Sequence, residues 1–480
     1  MRAVSLSLIV ATALAAATVG CGSASDASSD ESDITAGCAE SPQFTKIKSL
    51  VEPLQGVMGS YAMTTMNSVD DQPLLRGPVI FGKMSELIAN AEEEVLFQTW
   101  RWDDGGDPAN LVLAGIKNLQ AKRRAESATK PVVVRLLINS IIATPKDQME
   151  KLGKRIEELK LDPKLVDVRL AEFVAVQLGA NHTKTLVVDA KKAVITGTNA
   201  SSDNGSTPSN YWDAGYLVGG EVARALHNDF AGGWADGELY TCGGKGETPD
   251  PRTGEPQGES CRTKPDAMTI LPTSVRAEAR NGLSCIPIMV AGHKERTPAF
   301  PESKYDNAQD QAFIGMFAFA EKRIRIQSPN LNDQMAKNAI LSAVRSGIEV
   351  DLLLSKKYEQ MTESLPGRGG PNSDTVDYLH SLLYEIPVEK RCKLLQIRWF
   401  SNDGKNAEEV NGPPSSHVKY MSIDGNIVMV GSANQDVQSW QNSREVNIVI
   451  DSRAVTKNFD EKVFEAGWNK GIPVDQCAGQ

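Results

Sequence analysis

Histidine is scarce in this chain of 480 residues, which has five. None of them stands in an H-E-x-x-H pattern or beside an aspartate cluster. No two of the seven cysteines have C-x-x-C spacing, so the sequence offers no motif for a metal. Positive charge is also in deficit. A formal net charge of -10, with no basic stripe, argues against a protein built to coat nucleic acid. Beyond the first twenty residues no apolar run is long enough to span a bilayer. The remaining composition, 41% hydrophobic and 23% charged, is that of a globular chain with room for two or three domains.

The N-terminus reads as a processing segment. Met1 and Arg2 precede the apolar run "AVSLSLIVATALAAATVG", which is short for a membrane span and has the shape of a secretory signal over residues 1–20. The ending "ATVGC" resembles a bacterial lipobox with Cys21 as the acylated residue, although Thr18 stands where leucine is commoner; an ordinary signal peptide is the alternative. The Ser/Asp-rich residues that follow complete a flexible tether over 21–40. These features predict an exported lipoprotein of the cell envelope, with secretion as the alternative. Six further cysteines, an even number, permit three disulfides, and Cys242 with Cys261, flanking a Gly/Pro-rich loop, is the first pair to consider.

That loop divides the chain into a lobe at 41–240, a linker at 241–266 and a lobe at 267–480. Both lobes alternate apolar runs with helical patterns, as an α/β fold requires. Strands are predicted at 94–100, 131–140 and 166–173, followed by a hairpin turning at 190–192. Helices fall near 108–127 and 146–160. The second lobe repeats the order, with strands at 323–331, 348–355, 394–401 and 419–434, and helices near 333–346 and 374–386. Gln98 and Gln327 occupy similar places. "FAGGW" and "FEAGW" close the halves, with Trp234 and Trp468 respectively 52 and 51 residues after His182 and His417. An internal duplication explains these matches.

The repeat carries chemistry. "NHTKTLVVDAKKAVITGTN" holds His182, Lys184, Asp189, Gly197 and Asn199; "SHVKYMSIDGNIVMVGSAN" holds His417, Lys419, Asp424, Gly431 and Asn434. On a strand, His-x-Lys points both side chains to one face. Asn199, Asn434, Thr198 and Ser432 offer donors to an anionic oxygen. Two facing His–Lys pairs can act on a phosphodiester: one imidazole attacks phosphorus while the other protonates the leaving alkoxide, and the lysines and asparagines hold the charge. Each imidazole needs a partner to fix its tautomer. A carboxylate follows each motif, Asp213 in "NYWDAGY" and Glu445 in "NSREVNI". Asp189 and Asp424 complete the candidate catalytic set, although their place beside a strand turn suits bracing better than proton transfer. His227, His293 and His380 have no such context and read as surface or satisfied core.

With both motifs complete, roughly residues 75–470 resemble the phospholipase D superfamily of double H-x-K-x4-D phosphodiesterases. Thr196-Gly197-Thr198 departs from the common Gly-Ser or Gly-Gly pair. The resemblance implies two similar lobes, each a mixed sheet flanked by helices, with the active site at their interface. It implies a covalent phosphohistidine, with His182 as nucleophile and His417 as general acid, and no metal or other cofactor. Two motifs in one chain imply a monomer. Export and acidity favour a phospholipid substrate at a membrane surface, with anchoring through Cys21 and no nucleic-acid partner. Hydrolysis of glycerophospholipids, with transfer to an alcohol, is the first expectation. A cardiolipin-synthase-like phosphatidyltransferase comes second, then a secreted nuclease or a non-catalytic phospholipid-binding lipoprotein. Trp100 and Trp102 either line the cleft or pack in the core.

Overall fold

The computed structural model describes residues 39–54, 62–67, 72–139, 145–173, 179–207, 210–240, 262–273, 286–295, 305–407 and 414–474. Two nine-stranded mixed sheets dominate it. In the first, Glu94–Thr99 runs parallel to Val132–Asn139, which runs parallel to Val166–Phe173. On its other side Glu94–Thr99 meets Thr185–Val188, which continues through Lys192–Thr196 and Ala214–Gly219 as an antiparallel meander. The second sheet repeats this strand for strand. Arg323–Ser328, Glu349–Leu354 and Leu395–Trp399 are parallel, and Tyr420–Ile423, Ile427–Gly431 and Glu445–Asp451 form the meander. The expected strands and helices appear in order, and the duplication read from sequence is a duplication of topology.

The local reasons are visible in the chain. Runs such as "VVVRLLIN" are apolar because parallel strands are covered on both faces. Each hairpin turns through two consecutive left-handed residues, Asp189 and Ala190 (φ 53° and 49°) and Asp424 and Gly425 (φ 54° and 69°), the backbone that suits the right-handed twist of paired strands.

Three cores result. The helices Gly77–Ala89 and Asp107–Ala125 cover the outer face of the first sheet, and Ala308–Phe319 with Gln334–Arg345 cover that of the second. Between the sheets lies a shared core. There Phe230 and Trp234 of the helix Glu221–Ala235 share one buried cluster with Val290, Val446 and Ile448, and Phe459 meets Tyr216. The two halves are therefore joined by apolar burial rather than by a linker alone, and they form one compact unit.

Two segments depart from the simple division at 41–240 and 267–480. The helix Pro42–Val51 packs Phe44 and Ile47 against the core of the second half, and Ala62–Asn67 pairs with Ile286–His293 at the edge of the second sheet. Conversely, Arg262–Thr263 extends the first sheet, and Asp266 binds Arg135 and Arg169, each at 2.7 Å. Cys21, the tether and the Cys242–Cys261 pair lie outside the described residues. Cys392 is disulfide-bonded.

Candidate active site

The motif histidines sit just before the first meander strand of each sheet, where the two halves touch. Backbone bonds stitch them together across that contact. The His182 N–H donates to the Arg444 carbonyl at 2.9 Å, and the Arg444 N–H donates to the Ala180 carbonyl at 2.7 Å. The mirror set runs from His417 N–H to the Trp212 carbonyl at 2.8 Å and from Trp212 N–H to the Ser415 carbonyl at 3.1 Å. These short bridges place the residue after Arg444 beside His182 and the residue after Trp212 beside His417. The carboxylates thus cross over. Glu445 lies 2.8 Å from His182 Nδ1, and Asp213 lies 2.8 Å from His417 Nδ1. Each partner expected to serve the motif upstream in its own half serves the other half instead.

Electrostatics follow from depth. Burial, reinforced by the Lys419 ammonium, pushes His417 down to about 3 despite its bond to Asp213. Burial lowers His182 too, against the pull of Glu445. Burial alone would raise Glu445, but the adjoining His182 and the hydrogen bonds it accepts hold it at about 2. The resting state is then a neutral imidazole whose Nδ1–H donates to an ionised carboxylate, leaving the Nε2 lone pair free. Ser432 and Ser439 hydroxyls donate to Glu445 at 2.5 and 2.8 Å and fix that carboxylate.

Both motif lysines are buried. Lys184 Nζ donates to the His182 carbonyl, and Lys419 Nζ donates to the His417 carbonyl at 2.6 Å. Burial lowers Lys184 well below its ordinary range and brings Lys419 to about 8, with carboxylates nearby opposing the shift. Gly197 explains how the second lysine fits: a Cβ there would lie 2.7 Å from Lys419 Cδ and 2.8 Å from Asp213 Oδ1. A glycine of one half makes room for a lysine of the other.

The remaining motif residues are occupied otherwise. Asp189 accepts the backbone N–H groups of Glu92, Glu93 and Glu94, and Asp424 those of Glu321, Lys322 and Arg323. They anchor the start of each sheet's central strand, away from the imidazoles, and take no proton-transfer position. Ser432 is committed to Glu445. Thr198 accepts from Thr196, whose hydroxyl also reaches the Ala214 carbonyl. The Ser432 proton is thus spent on the carboxylate, whereas Thr198 as an acceptor keeps its own O–H to donate. The Asn434 amide donates to Asp436 at 2.9 Å, and Asn199 lies 3.5 Å from the Thr99 hydroxyl. Gln98 and Gln327 are fully buried and hold the segments that carry the histidines: Gln98 bonds Asn181 before His182 and Thr185 after it, and Gln327 bonds Ser416 before His417.

Aromatic side chains wall the site. Trp100 stands edge-on to His182 with centroids 5.8 Å apart, whereas Trp102 is buried against Phe97, so the two tryptophans divide between cleft and core. Tyr211 and Tyr358 flank His417 at 5.0 and 5.8 Å. Tyr211 was visible in "NYWDAGY" two residues before Asp213; Tyr358 carries no local signal. His227 is buried against Glu94 at 2.9 Å, His293 lies 2.5 Å from the Ser443 carbonyl, and His380 is buried in the helix Asn372–Ser381. None of the three joins the site. Among the described residues no group of three or more His, Cys, Asp or Glu side chains is arranged to hold a metal ion.

Comparison with known proteins agrees with this geometry. Residues 313–468 match the family described as "Cardiolipin synthase, PLD-like domain". The chain is 26% identical over 289 residues to cardiolipin synthase 1 of Staphylococcus epidermidis, covering 59% of this chain and 46% of that protein. It is 23% identical over 295 residues to the probable cardiolipin synthase YwiE of Bacillus subtilis, covering 60% and 46%. The chain thus spans under half the length of these relatives. In structure it is similar to phosphatidylserine synthase of Haemophilus influenzae, with a TM-score of 0.56 at 13% identity, covering 89% of this chain and 92% of that one.

These relatives correct two expectations. They carry synthase names, so the transfer reading placed second above fits them better than hydrolysis. The placement as an exported envelope lipoprotein does not stand, because the matched relatives are cardiolipin synthases rather than lipoproteins. Among the described residues no helix is long and apolar enough to cross a membrane.

Proposed function

Because this chain belongs to the phospholipase D superfamily, we propose that it is a phosphatidyltransferase of the cardiolipin-synthase kind, moving a phosphatidyl group from one glycerophospholipid to a hydroxyl of another. The observation that carries this reading is the crossed pair of His–carboxylate couples with a buried lysine beside each histidine. His182 has the more open side chain, 14% exposed against 4% for His417, and is assigned as the nucleophile. Its Nε2 lone pair forms the bond to phosphorus while Glu445 balances the charge that appears on the ring. The phosphodiester anion offsets the Lys419 and Lys184 charges that depress His417, so His417 can carry a proton in the complex. It passes that proton to the departing alkoxide. Neutral His417 then removes the proton of the incoming hydroxyl, whose oxygen displaces His182 from phosphorus. The lysines hold the non-bridging oxygens through both steps.

Transfer competes with hydrolysis for the same intermediate, and the surroundings favour transfer. Trp100, Tyr211 and Tyr358 crowd the two imidazoles, which limits the water that can reach a phosphatidyl-enzyme. The test is to incubate the purified protein with phosphatidylglycerol vesicles and read products by mass spectrometry. Cardiolipin with free glycerol, lost in His182→Ala, supports the proposal. Phosphatidic acid alone would replace it with hydrolysis. Cleavage of bis-(p-nitrophenyl) phosphate without any lipid product would move the substrate outside the phospholipids.

A further inference from the structure

We infer that residues 359–368 form a membrane-docking lip at the mouth of the site, with Met361 and Leu365 entering the apolar layer of an anionic phospholipid bilayer. This inference rests on the proposed lipid substrate.

The lip begins at the site itself. Tyr358 packs against His417, and the next residue, Glu359, takes a left-handed φ of 47° that turns the chain into the single helical turn Gln360–Glu363. Met361, on this turn, is 84% exposed, and Leu365, just past its end, is 58% exposed. A large apolar side chain so fully in water is unusual unless something covers it, and two together beside an active site mark a contact surface.

The underside is built to hold this shape. Glu363 is buried and accepts from Asn332 Nδ2 at 2.6 Å. The same amide donates to the Gly370 carbonyl at 2.8 Å, and the Gly370 N–H donates back to the Glu363 carbonyl at 3.1 Å. Arg368 reaches Glu363 at 3.4 Å and also donates to Gln438. Glu363 is thus turned inward, while Met361 and Leu365 remain outside.

A bilayer rather than another protein is the occupant the site calls for. A phospholipid whose phosphorus reaches His182 keeps its acyl chains in the membrane. The head-group layer of one leaflet is only about 5–8 Å deep. An apolar lip that starts three residues from a side chain touching His417 is close enough to bridge that layer, and interfacial insertions reach about 5–10 Å. Lys356 and Lys357 lead into the lip and place two basic residues beside the apolar pair in a chain of net charge -10, which suits an anionic surface, whereas Arg368 is taken up by Glu363 and Gln438 on the underside.

The test measures vesicle binding separately from turnover. Sedimentation with vesicles of phosphatidylcholine, with and without phosphatidylglycerol, is compared for the full chain, Met361→Ser/Leu365→Ser, and Tyr384→Ser. Tyr384 is a control: it is 81% exposed and lies on no part of the lip. The double variant is expected to bind phosphatidylglycerol vesicles at least tenfold more weakly, while Tyr384→Ser binds as the parent does. The ratio of its rate on vesicles to its rate on bis-(p-nitrophenyl) phosphate should fall by a similar factor. Equal binding by the double variant, or no vesicle binding by the parent, overturns the lip even if transfer occurs. Weakened binding in a protein that makes no lipid product upholds the lip and removes the transfer reading.

Discussion

His182 and Glu445 stand 263 positions apart in sequence and in opposite halves of the chain, yet their side chains meet at 2.8 Å. Asp213 and His417, 204 positions apart, meet at the same distance. Neither half holds a complete catalytic couple. Each imidazole takes its tautomer from the other half, which makes the active site a property of the interface.

The crossing gives opposite signatures to the two carboxylates. Glu445→Gln disturbs the nucleophile and should lower kcat about 10²–10⁴-fold on every diester. Asp213→Asn disturbs the general acid. Its effect should be large with an alkoxide leaving group and small with p-nitrophenolate, which departs without a proton. Comparing the two variants on phosphatidylglycerol and on bis-(p-nitrophenyl) phosphate checks the assignment. The reverse pattern would exchange the roles of His182 and His417.

The motif aspartates should behave as structural residues. Asp189→Asn and Asp424→Asn each weaken a carboxylate that accepts three consecutive backbone N–H groups. A loss of about 1–3 kcal/mol in stability is expected, with kcat within about twofold of the parent. Denaturant unfolding beside an activity assay separates the two effects.

Lys419 sets an alkaline limit. With its ammonium at about 8 in the free protein, kcat/KM should decline as pH rises through that value, because the deprotonated amine no longer holds a phosphate oxygen. The sign for stability is the opposite. Between about 8 and the ordinary lysine range the unfolded chain binds the extra proton, so folding gains from this group as pH rises there. In Lys419→Arg the alkaline limb should disappear, since guanidinium stays charged. A pH profile of kcat/KM on both proteins reads this directly.

The two motif glycines should fail differently. In Gly197→Ala the new methyl meets the flexible stem of Lys419 and the Asp213 carboxylate, which displaces the ammonium and disturbs the partner of His417. KM should rise several-fold and kcat should fall with it, with little change in stability. In Gly431→Ala the methyl meets the Val446 carbonyl at 2.5 Å and the Asn447 side chain, and paired backbone cannot yield. Destabilisation dominates there, and thermal unfolding would show it.

Much of this was legible in the chain. Parallel strands buried on both faces announce themselves as apolar runs, and a duplicated lobe announces itself as a duplicated motif, because both are local regularities along the sequence. His182, Lys184, His417 and Lys419 stood out by the same repetition. Trp100 was singled out with Trp102, but only packing shows that one faces the imidazole and the other the core.

What the sequence determined by itself is the set of reacting residue types, their spacing and the order of elements around them, since each follows from neighbours a few positions away. The tertiary structure alone decided which carboxylate serves which histidine, that Ser432 secures Glu445, which backbone N–H groups Asp189 and Asp424 brace, and that Met361 and Leu365 face water beside the site. Those outcomes depend on how two sheets bury a common apolar core. That packing brings together residues hundreds of positions apart, and no pattern along the chain encodes it.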